Sequence, residues 1–317
     1  PMLILAVRVY FTILICFWLS SCGESKKSES TGKGESYVEK KLYKLVMEIP
    51  FTKMHGLGND FVVVDNQSLE FRLTKPSVQK IADRRRGIGF DQLLTIEPAR
   101  RNGDLFLDIK NPDGTSAEAC GNGTRCVASL IMSKRQANTL RIETVGGLLI
   151  CERTKTGDVT VDMGEPSTEW HEIPLAREAN TRDLVLENMP HQIFTCVNMG
   201  NPHAVLFSEN CELFELEKIG PKIECHEMFP DKINVEVATV ESKNKVRVRV
   251  WERGAGQTAA CGSGACAVLV AAASRGLTNR KADIVLDGGT LIIEWKDNNR
   301  VSMTGPTEIS FNGHFSL

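Results

Sequence analysis

From residue 47 onward the chain consists mainly of short apolar or alternating runs bounded by Gly, Pro, Asn and Asp. FVVVD (61–65), LLTIE (93–97), LFLDIK (105–110), LRIETV (140–145), VTVDM (159–163), AVLF (204–207), KVRVRVWE (245–252), DIVL (283–286) and LIIEW (291–295) have the length and β-branched content of strands. The Gly-Gly pairs at 146–147 and 288–289 predict hairpin turns. Helices are fewer. Residues 262–275, GSGACAVLVAAASR, are apolar on nearly every face, and 121–135 are mainly apolar. A helix apolar all round belongs inside a protein. Two such helices, each wrapped by the strands of its own half, predict an α+β architecture of two similar sheet-rich domains.

The two halves are copies. ACGNGTRC at 119–126 returns as ACGSGACA at 260–267, with Cys261 following Cys120 by 141 positions. Asn59 meets Asn201 and Gln92 meets Asn234 at an offset of 142, Asn111 meets Glu252 at 141, and VDMGEP (161–166) meets VSMTGP (301–306) at 140. A duplicated unit of this size predicts a pseudo-twofold axis, with equivalent residues facing one cleft. The expected division is an extension at 1–46, a first domain at 47–162 plus 306–317, and a second at 163–305. The last strand, after Pro306, is expected to return to the first domain.

A net charge of −2 gives no electrostatic case for nucleic acid, and the cluster Arg84-Arg85-Arg86 reads as a solvated helix face. Ten cysteines occur at irregular spacing without a Cys-x-x-Cys, which supports neither a zinc site nor a disulfide framework. Cys126 and Cys266, within the two helices, and Cys151, Cys196, Cys211 and Cys225 read as buried thiols. The N-terminal segment differs from the rest. Residues 3–19 are apolar except for Arg8 and end in LSSC, followed by a Ser/Gly/Lys/Glu run at 23–36. Two readings stand: a lipoprotein-like signal with a lipid anchor at Cys22, or a start assigned too far upstream of Met47. The second is preferred, because thiol chemistry suits a reducing cytoplasm.

A cysteine followed by Gly-x-Gly opens a helix whose first N–H groups are unpaired and approachable. Those amides and the helix dipole suit a carboxylate, and the same surroundings are expected to lower the cysteine pKa. Two identical acid/base groups on opposite faces of one carbon are what inversion of a stereocentre requires. No lysine-centred pyridoxal signature, Walker loop or His-rich metal motif is evident, and GIGF (87–90) and GLGN (56–59) fall short of a dinucleotide fingerprint. A reaction without cofactor or metal is therefore expected.

MHGLGNDFVVVD, GIGFDQLL, NPDG, ACGNGTRC, MGNPH, ERGAGQTAACGSGA and MTGP together resemble the diaminopimelate epimerase family over residues 50–317. The resemblance implies interconversion of LL- and meso-2,6-diaminopimelate on the bacterial route to lysine and peptidoglycan. It also implies two pseudo-symmetric domains, each a β-barrel-like sheet around a central helix, with no cofactor. By motif, Cys120 and Cys261 are the acid/base thiols, and Gly121-Asn122 and Gly262-Ser263 hold the α-carboxylate through their amides. Asn59, Gln92, Asn111, Asn201, Asn234, Glu252 and Arg253 line the pocket, Arg253 gripping the distal carboxylate. His203 and Glu252 tune the thiols, although a histidine such as His203 read alone is more often structural.

Gln257 stands where many members carry glutamate, which removes a charge expected near Cys261. Arg86 stands where relatives can have a cysteine, with no expected consequence. The substrate is the expected small-molecule partner; a homodimer stays open, and a membrane is a partner only through the N-terminal segment. The alternatives are another cofactor-independent racemase or isomerase of this fold, acting on proline, hydroxyproline or an aromatic metabolite, and a non-catalytic lipid-anchored binding protein. The polar set Asn111, Asn201, Asn234 and Arg253 favours a diamino diacid over proline, and retention of both cysteines favours catalysis.

Overall fold

The computed structural model describes residues 48–316; the expectations for residues 1–46, Cys22 included, fall outside the described residues. The first half holds strands β1 (Glu48–Gly56), β2 (Asn59–Asp65), β3 (Gln92–Glu97), β4 (Leu105–Lys110), β5 (Ser116–Ala117), β6 (Thr139–Thr144), β7 (Gly147–Arg153) and β8 (Val159–Asp162). Helices α1 (Lys75–Ala82) and α2 (Gly121–Arg135) lie between them. The second half repeats the order. It holds β9 (Leu184–Leu186), β10 (Met189–Asn198), β11 (Pro202–Phe207), α3 (Leu216–Glu224), β12 (Asn234–Ser242), β13 (Lys245–Glu252), β14 (Gly256–Thr258), α4 (Gly262–Ser274), β15 (Lys281–Leu286), β16 (Gly289–Trp295), β17 (Val301–Gly305) and β18 (Glu308–Ser316).

Pairing follows the duplication. The neighbours run β18, β1, β2, β3, β4, β6, β7, β8 in one half and β9, β10, β11, β12, β13, β15, β16, β17 in the other. The parallel pairs β2–β3 and β4–β6 have their counterparts in β11–β12 and β13–β15. The final strand β18 lies antiparallel on β1, across the whole sequence, as β9 lies on β10. Both Gly-Gly pairs sit at hairpins, since Thr144 pairs with Gly147 and Leu286 with Gly289.

The halves are joined by β8 and β17. Val161 pairs with Met303, Asp162 with Ser302 and Thr160 with Thr304, so the offset of 140 that matches VDMGEP to VSMTGP maps the ladder onto itself with the axis at Asp162–Ser302. Two threonine hydroxyls meet across it at 2.8 Å, and Arg300 Nε donates to Asp162 at 2.7 Å. This is the self-complementary contact that a twofold imposes.

Sequence patterning sets the rest. The α2 helix ends at Gln136 in the left-handed region (φ 53°), its N–H bonding back to Met132 and Ser133, with Lys134 and Arg135 at the negative end of the dipole. The α4 helix, built from Ala, Val, Leu and Gly, is buried along most of its length, and its side chains share one apolar cluster with those of α2. Each fully buried Val or Leu contributes roughly 1.5–3 kcal/mol, which is why this segment forms a central helix despite its β-branched content.

Some expectations need correction. The α1 and α3 helices were not foreseen, although Thr74 before Pro76 is a helix-start pattern and the Thr74 hydroxyl does cap Ser77 N. The α1 helix stops at Ala82, so Arg84-Arg85-Arg86 occupy an exposed turn rather than a helix face. Cys126, Cys151, Cys196, Cys211 and Cys266 are buried, but Cys225 is exposed at the end of α3.

The halves also touch where the β1–β2 turn, carrying Leu57 (φ 58°), meets the β15–β16 turn. Gly288 donates its N–H to Ala259 O at 2.8 Å, and a Cβ there would lie 1.9 Å from the Leu57 carbonyl oxygen. The Gly288→Ala variant is expected to lose about 1–3 kcal/mol of unfolding free energy in chemical denaturation. Gly157→Ala, at φ 97° but in open space, is expected to cost only about 1 kcal/mol of backbone strain.

Candidate active site at the two helix starts

Each cysteine is the N-cap of its half's central helix. Cys120 (φ −149°, ψ 106°) and Cys261 (φ −120°, ψ 116°) are extended. Cys120 Sγ accepts from Gly123 N at 3.3 Å, and Cys261 Sγ accepts from Gly264 N at 3.4 Å. Sulfur thereby replaces the oxygen of an ordinary cap. The glycines are there for want of room. A Cβ on Gly121 would lie 2.7 Å from Met303 Cε, one on Gly262 would lie 2.9 Å from Met303 Sδ and 3.3 Å from Asn122 Oδ1, and one on Gly264 would lie 2.6 Å from Glu236 Oε1. Met303, one residue from the pseudo-axis, thus lies against the first residue of both helices.

Asn122, buried, bridges the halves, its Nδ2 donating to Asn59 Oδ1 and to the Ala260 carbonyl, each at 3.3 Å. Asn59 in turn donates to Asp91 Oδ2 at 2.9 Å. Behind it, Arg84 bonds Asp60 and Asp91, each at 2.7 Å, while Lys53 reaches Asp60 at 2.5 Å and also the Gly89 carbonyl. Ser263 Oγ lies 3.6 Å from Cys261 Sγ. Glu252, half-buried at the end of β13, accepts from Thr258 Oγ1 at 2.5 Å. Its charge acts on both thiols.

The remaining expected residues form pairs. Gln92 Nε2 donates to Asn111 Oδ1 at 3.3 Å, leaving the buried Gln92 Oε1 without a partner. Asn234 donates to the Pro202 carbonyl and accepts the Arg253 N–H. Arg253 itself is exposed, its guanidinium on the Asp231 carbonyl at 2.9 Å. His203 is fully buried, with Nδ1 2.7 Å from Glu236 Oε1 and Nε2 3.0 Å from Asn201 Oδ1. Gln257 is exposed beside Arg249 and Asp287, and the carboxylates acting on Cys261 are Glu252 and Glu236.

The thiols differ from the expectation of a lowered pKa. Burial pushes Cys120 up to about 11; the Gly123 N–H opposes this, Glu252 adds to it and Arg125 opposes it. Cys261 stands well above the ordinary thiol value through burial, then Glu252 and Glu236, with Ser263 and Gly264 opposing. Glu252 is itself raised, chiefly by burial. One amide and a helix dipole do not offset desolvation at a closed site.

Two residues escaped the sequence reading. Arg125, fully buried, donates from Nη1 to Asn122 Oδ1 at 2.9 Å, while its Nε and Nη2 have no partner among the described residues. Glu236, equally buried, has an unpartnered Oε2. The signal for Arg125 was a charged residue in an apolar helix, and for Glu236 a carboxylate inside the apolar run NVEVATV.

A family model described as diaminopimelate epimerase matches residues 51–169 and 195–310, which contain Cys120 and Cys261 respectively. The diaminopimelate epimerase of Rhodospirillum centenum is 50% identical over 267 residues, covering 84% of this chain and 92% of that protein. That of Acidiphilium cryptum is 47% identical over 265 residues, covering 83% and 95%. The chain belongs to the diaminopimelate epimerase family. Solved structures at low identity carry the same fold. A hydroxyproline epimerase from Agrobacterium vitis superimposes with a TM-score of 0.61 at 13% identity, covering 85% of this chain and 91% of that one. A phenazine biosynthesis protein from Bacillus anthracis gives 0.61 at 14%, covering 86% and 100%. The α+β two-domain architecture is thus that of a fold with several members, and membership of the diaminopimelate epimerase family rests on the sequence matches.

The Asp60 cluster sets the orientation of Asn59 and has a pH signature. Burial raises the Asp60 pKa, but the bonds from Arg84 and Lys53 outweigh it and hold the carboxyl at about 2. A depressed carboxyl stabilises the fold above its unfolded value of about 3.9 and loses that contribution as pH falls through about 2. Asp60→Asn is expected to lower stability by roughly 1–2.5 kcal/mol at pH 7, a gap that closes between pH 5 and 2 in denaturation series.

Proposed function

We propose that the chain is a diaminopimelate epimerase that inverts one α-carbon by proton transfer between Cys120 and Cys261. The observation that carries this reading is the contact of both cysteine-capped helix starts with the single side chain of Met303. A substrate carboxylate at this junction faces the opening amides of both helices, Gly121-Asn122 and Gly262-Ser263, and two dipole ends of the same sign. As Cα loses its proton, negative charge spreads into that carboxylate, and the fixed donors stabilise it.

The protons balance without a further reactant. One cysteine, as thiolate, takes the Cα hydrogen and becomes a thiol; the other, as thiol, gives its proton to the opposite face and becomes a thiolate. The two have then exchanged roles, and either reverse turnover or proton exchange with water resets them. Bound substrate changes the thiol environment as well. Its α-ammonium brings a cation into the site, which favours the thiolate that burial disfavours.

The second amino-acid end is assigned to Asn59, Gln92, Asn111, Asn201, Asn234 and Arg253, with Glu252 and His203 tuning the thiols. Arg253 fits the distal carboxylate, because its exposed guanidinium has only a carbonyl to release. The division into 47–162 plus 306–317 and 163–305 assigns one cysteine to each domain. The reaction belongs to the formation of meso-diaminopimelate for lysine and peptidoglycan, and its free thiols suit a reducing cytoplasm. No helix among the described residues is long and apolar enough to cross a membrane.

Incubated with LL-diaminopimelate and a reductant, the purified chain is expected to form the meso isomer. Cys120→Ala and Cys261→Ala are each expected to reduce kcat by roughly 10²–10⁴-fold, read by chiral chromatography. Undiminished epimerisation by the double variant would contradict the assignment. Arg253→Met is expected to raise KM by roughly 10-fold or more, the loss of a charge-assisted pair, and Arg253→Lys to recover only part.

A further inference from the structure

The duplication matches elements between the halves but not the charges behind the two thiols. Position 125 on α2 corresponds to 266 on α4 at an offset of 141, which places Arg125 opposite Cys266. Positions 61 and 94 correspond to 203 and 236 at 142, which sets Phe61 and Leu94 opposite His203 and Glu236. Cys120 therefore opens a helix with a guanidinium inside it and Leu94 beneath it; a Cβ on Gly123 would lie 3.0 Å from Leu94 Cδ1. Cys261 opens a helix with Glu236 in the equivalent place.

Among the described residues Arg125 has no carboxylate as a hydrogen-bond partner. Its partners there are Asn122 Oδ1 at 2.9 Å and Met303 Sδ at 3.2 Å, and the glycines at 56 and 305 make room for it: a Cβ at either would come within 3.1 Å or 3.4 Å of its guanidinium. A guanidinium keeps its charge in a protein interior, so this site holds a fixed, poorly compensated cation. Because guanidinium only donates, its bond to Asn122 Oδ1 also fixes which way that amide points, leaving Nδ2 for Asn59 and Ala260.

The groups acting on each thiol can be named. Glu252 acts on both. Cys120 otherwise has Arg125, with the Cys126 thiol nearby, and Cys261 otherwise has Glu236, which is paired to His203. With neutral His203 the Glu236 charge stands against Cys261, and with an imidazolium the pair cancels. In either protonation state the side of Cys120 is the more positive by at least one charge.

We infer that Arg125 is a positioning residue that locks the Asn122 amide and breaks the twofold electrostatically, so that of the two buried thiols Cys120 ionises first and Cys261 keeps its proton. This rests on the two-thiol reading above. It deepens that reading by giving the symmetric reaction a preferred order of ionisation, the one in which Cys120 is the first base.

The test is alkylation by iodoacetamide at a series of pH values, with peptides containing Cys120 and Cys261 quantified by mass spectrometry. Access affects the rate at each sulfur, whereas the pH midpoint reports the thiolate. In the native chain the midpoint for Cys120 is expected below that for Cys261. In Arg125→Met the Cys120 midpoint is expected to rise by about one pH unit or more while that of Cys261 stays, and Arg125→Lys is expected to recover part of the shift. A Cys261 midpoint at or below that of Cys120 in the native chain would overturn the inference, whether or not the variants fold. So would an unmoved Cys120 midpoint in an Arg125→Met protein with native circular dichroism. Cys120→Ser and Cys261→Ser separate the two claims. Epimerisation retained by either variant defeats the two-thiol reading, whereas inactive variants with the wrong alkylation order defeat the Arg125 inference alone.

Discussion

The site depends on a close approach of two helix starts across an antiparallel seam. The β8–β17 ladder is self-complementary about Asp162 and Ser302, and the Met303 side chain lies against both Gly121 and Gly262. A Cβ at either glycine would have to displace the Met303 side chain. The seam, the glycines and the cysteine caps are therefore one constraint, which brings the two helix starts against one methionine side chain. The buried contact between Asn122 and the Ala260 carbonyl ties the two helix starts from the other side.

That closeness has an electrostatic consequence. Removing the thiols from water raises both pKa values, and a shared carboxylate, Glu252, raises them further. An empty site thus holds its protons firmly, and the cationic end of an amino-acid substrate is the missing counter-charge. On the two-thiol proposal, turnover is coupled to binding, since the base is most competent with substrate present. The polar cluster of Lys53, Asp60, Arg84 and Asp91 does a different job: being well paired, it holds Asn59 rigidly at the edge of the site.

Much of this was legible in the sequence, and the parts that were not have physical reasons. The strands named from alternation all exist, because β-branched runs between turn residues have few other outcomes. The α4 helix was readable from an apolar run too long for a strand. The α1 helix was missed because Thr74 and Pro76 mark its start while its brief apolar stripe is spread over one face only. The repeat brought Cys120 and Cys261 into register, but equal offsets reveal what the halves share. Arg125 and Glu236 lie where the halves differ, so an argument from duplication passes over them. The direction of the thiol shifts was misjudged for a related reason: a helix start can be read locally, whereas desolvation depends on the packed whole. Arg253 illustrates the limit for binding groups, since its place in the motif was evident but its rest position on the Asp231 carbonyl was not.

The central claim is that two sulfurs address opposite faces of one carbon. Its most direct measurement follows hydrogen isotopes during early turnover, starting from LL-diaminopimelate carrying deuterium at Cα in ordinary water. Two separate bases predict that the first meso product carries solvent hydrogen at the inverted centre while unreacted substrate still carries its deuterium. Deuterium carried from substrate into the inverted position of the product would mean that one group both removes and returns the proton, and would contradict the account.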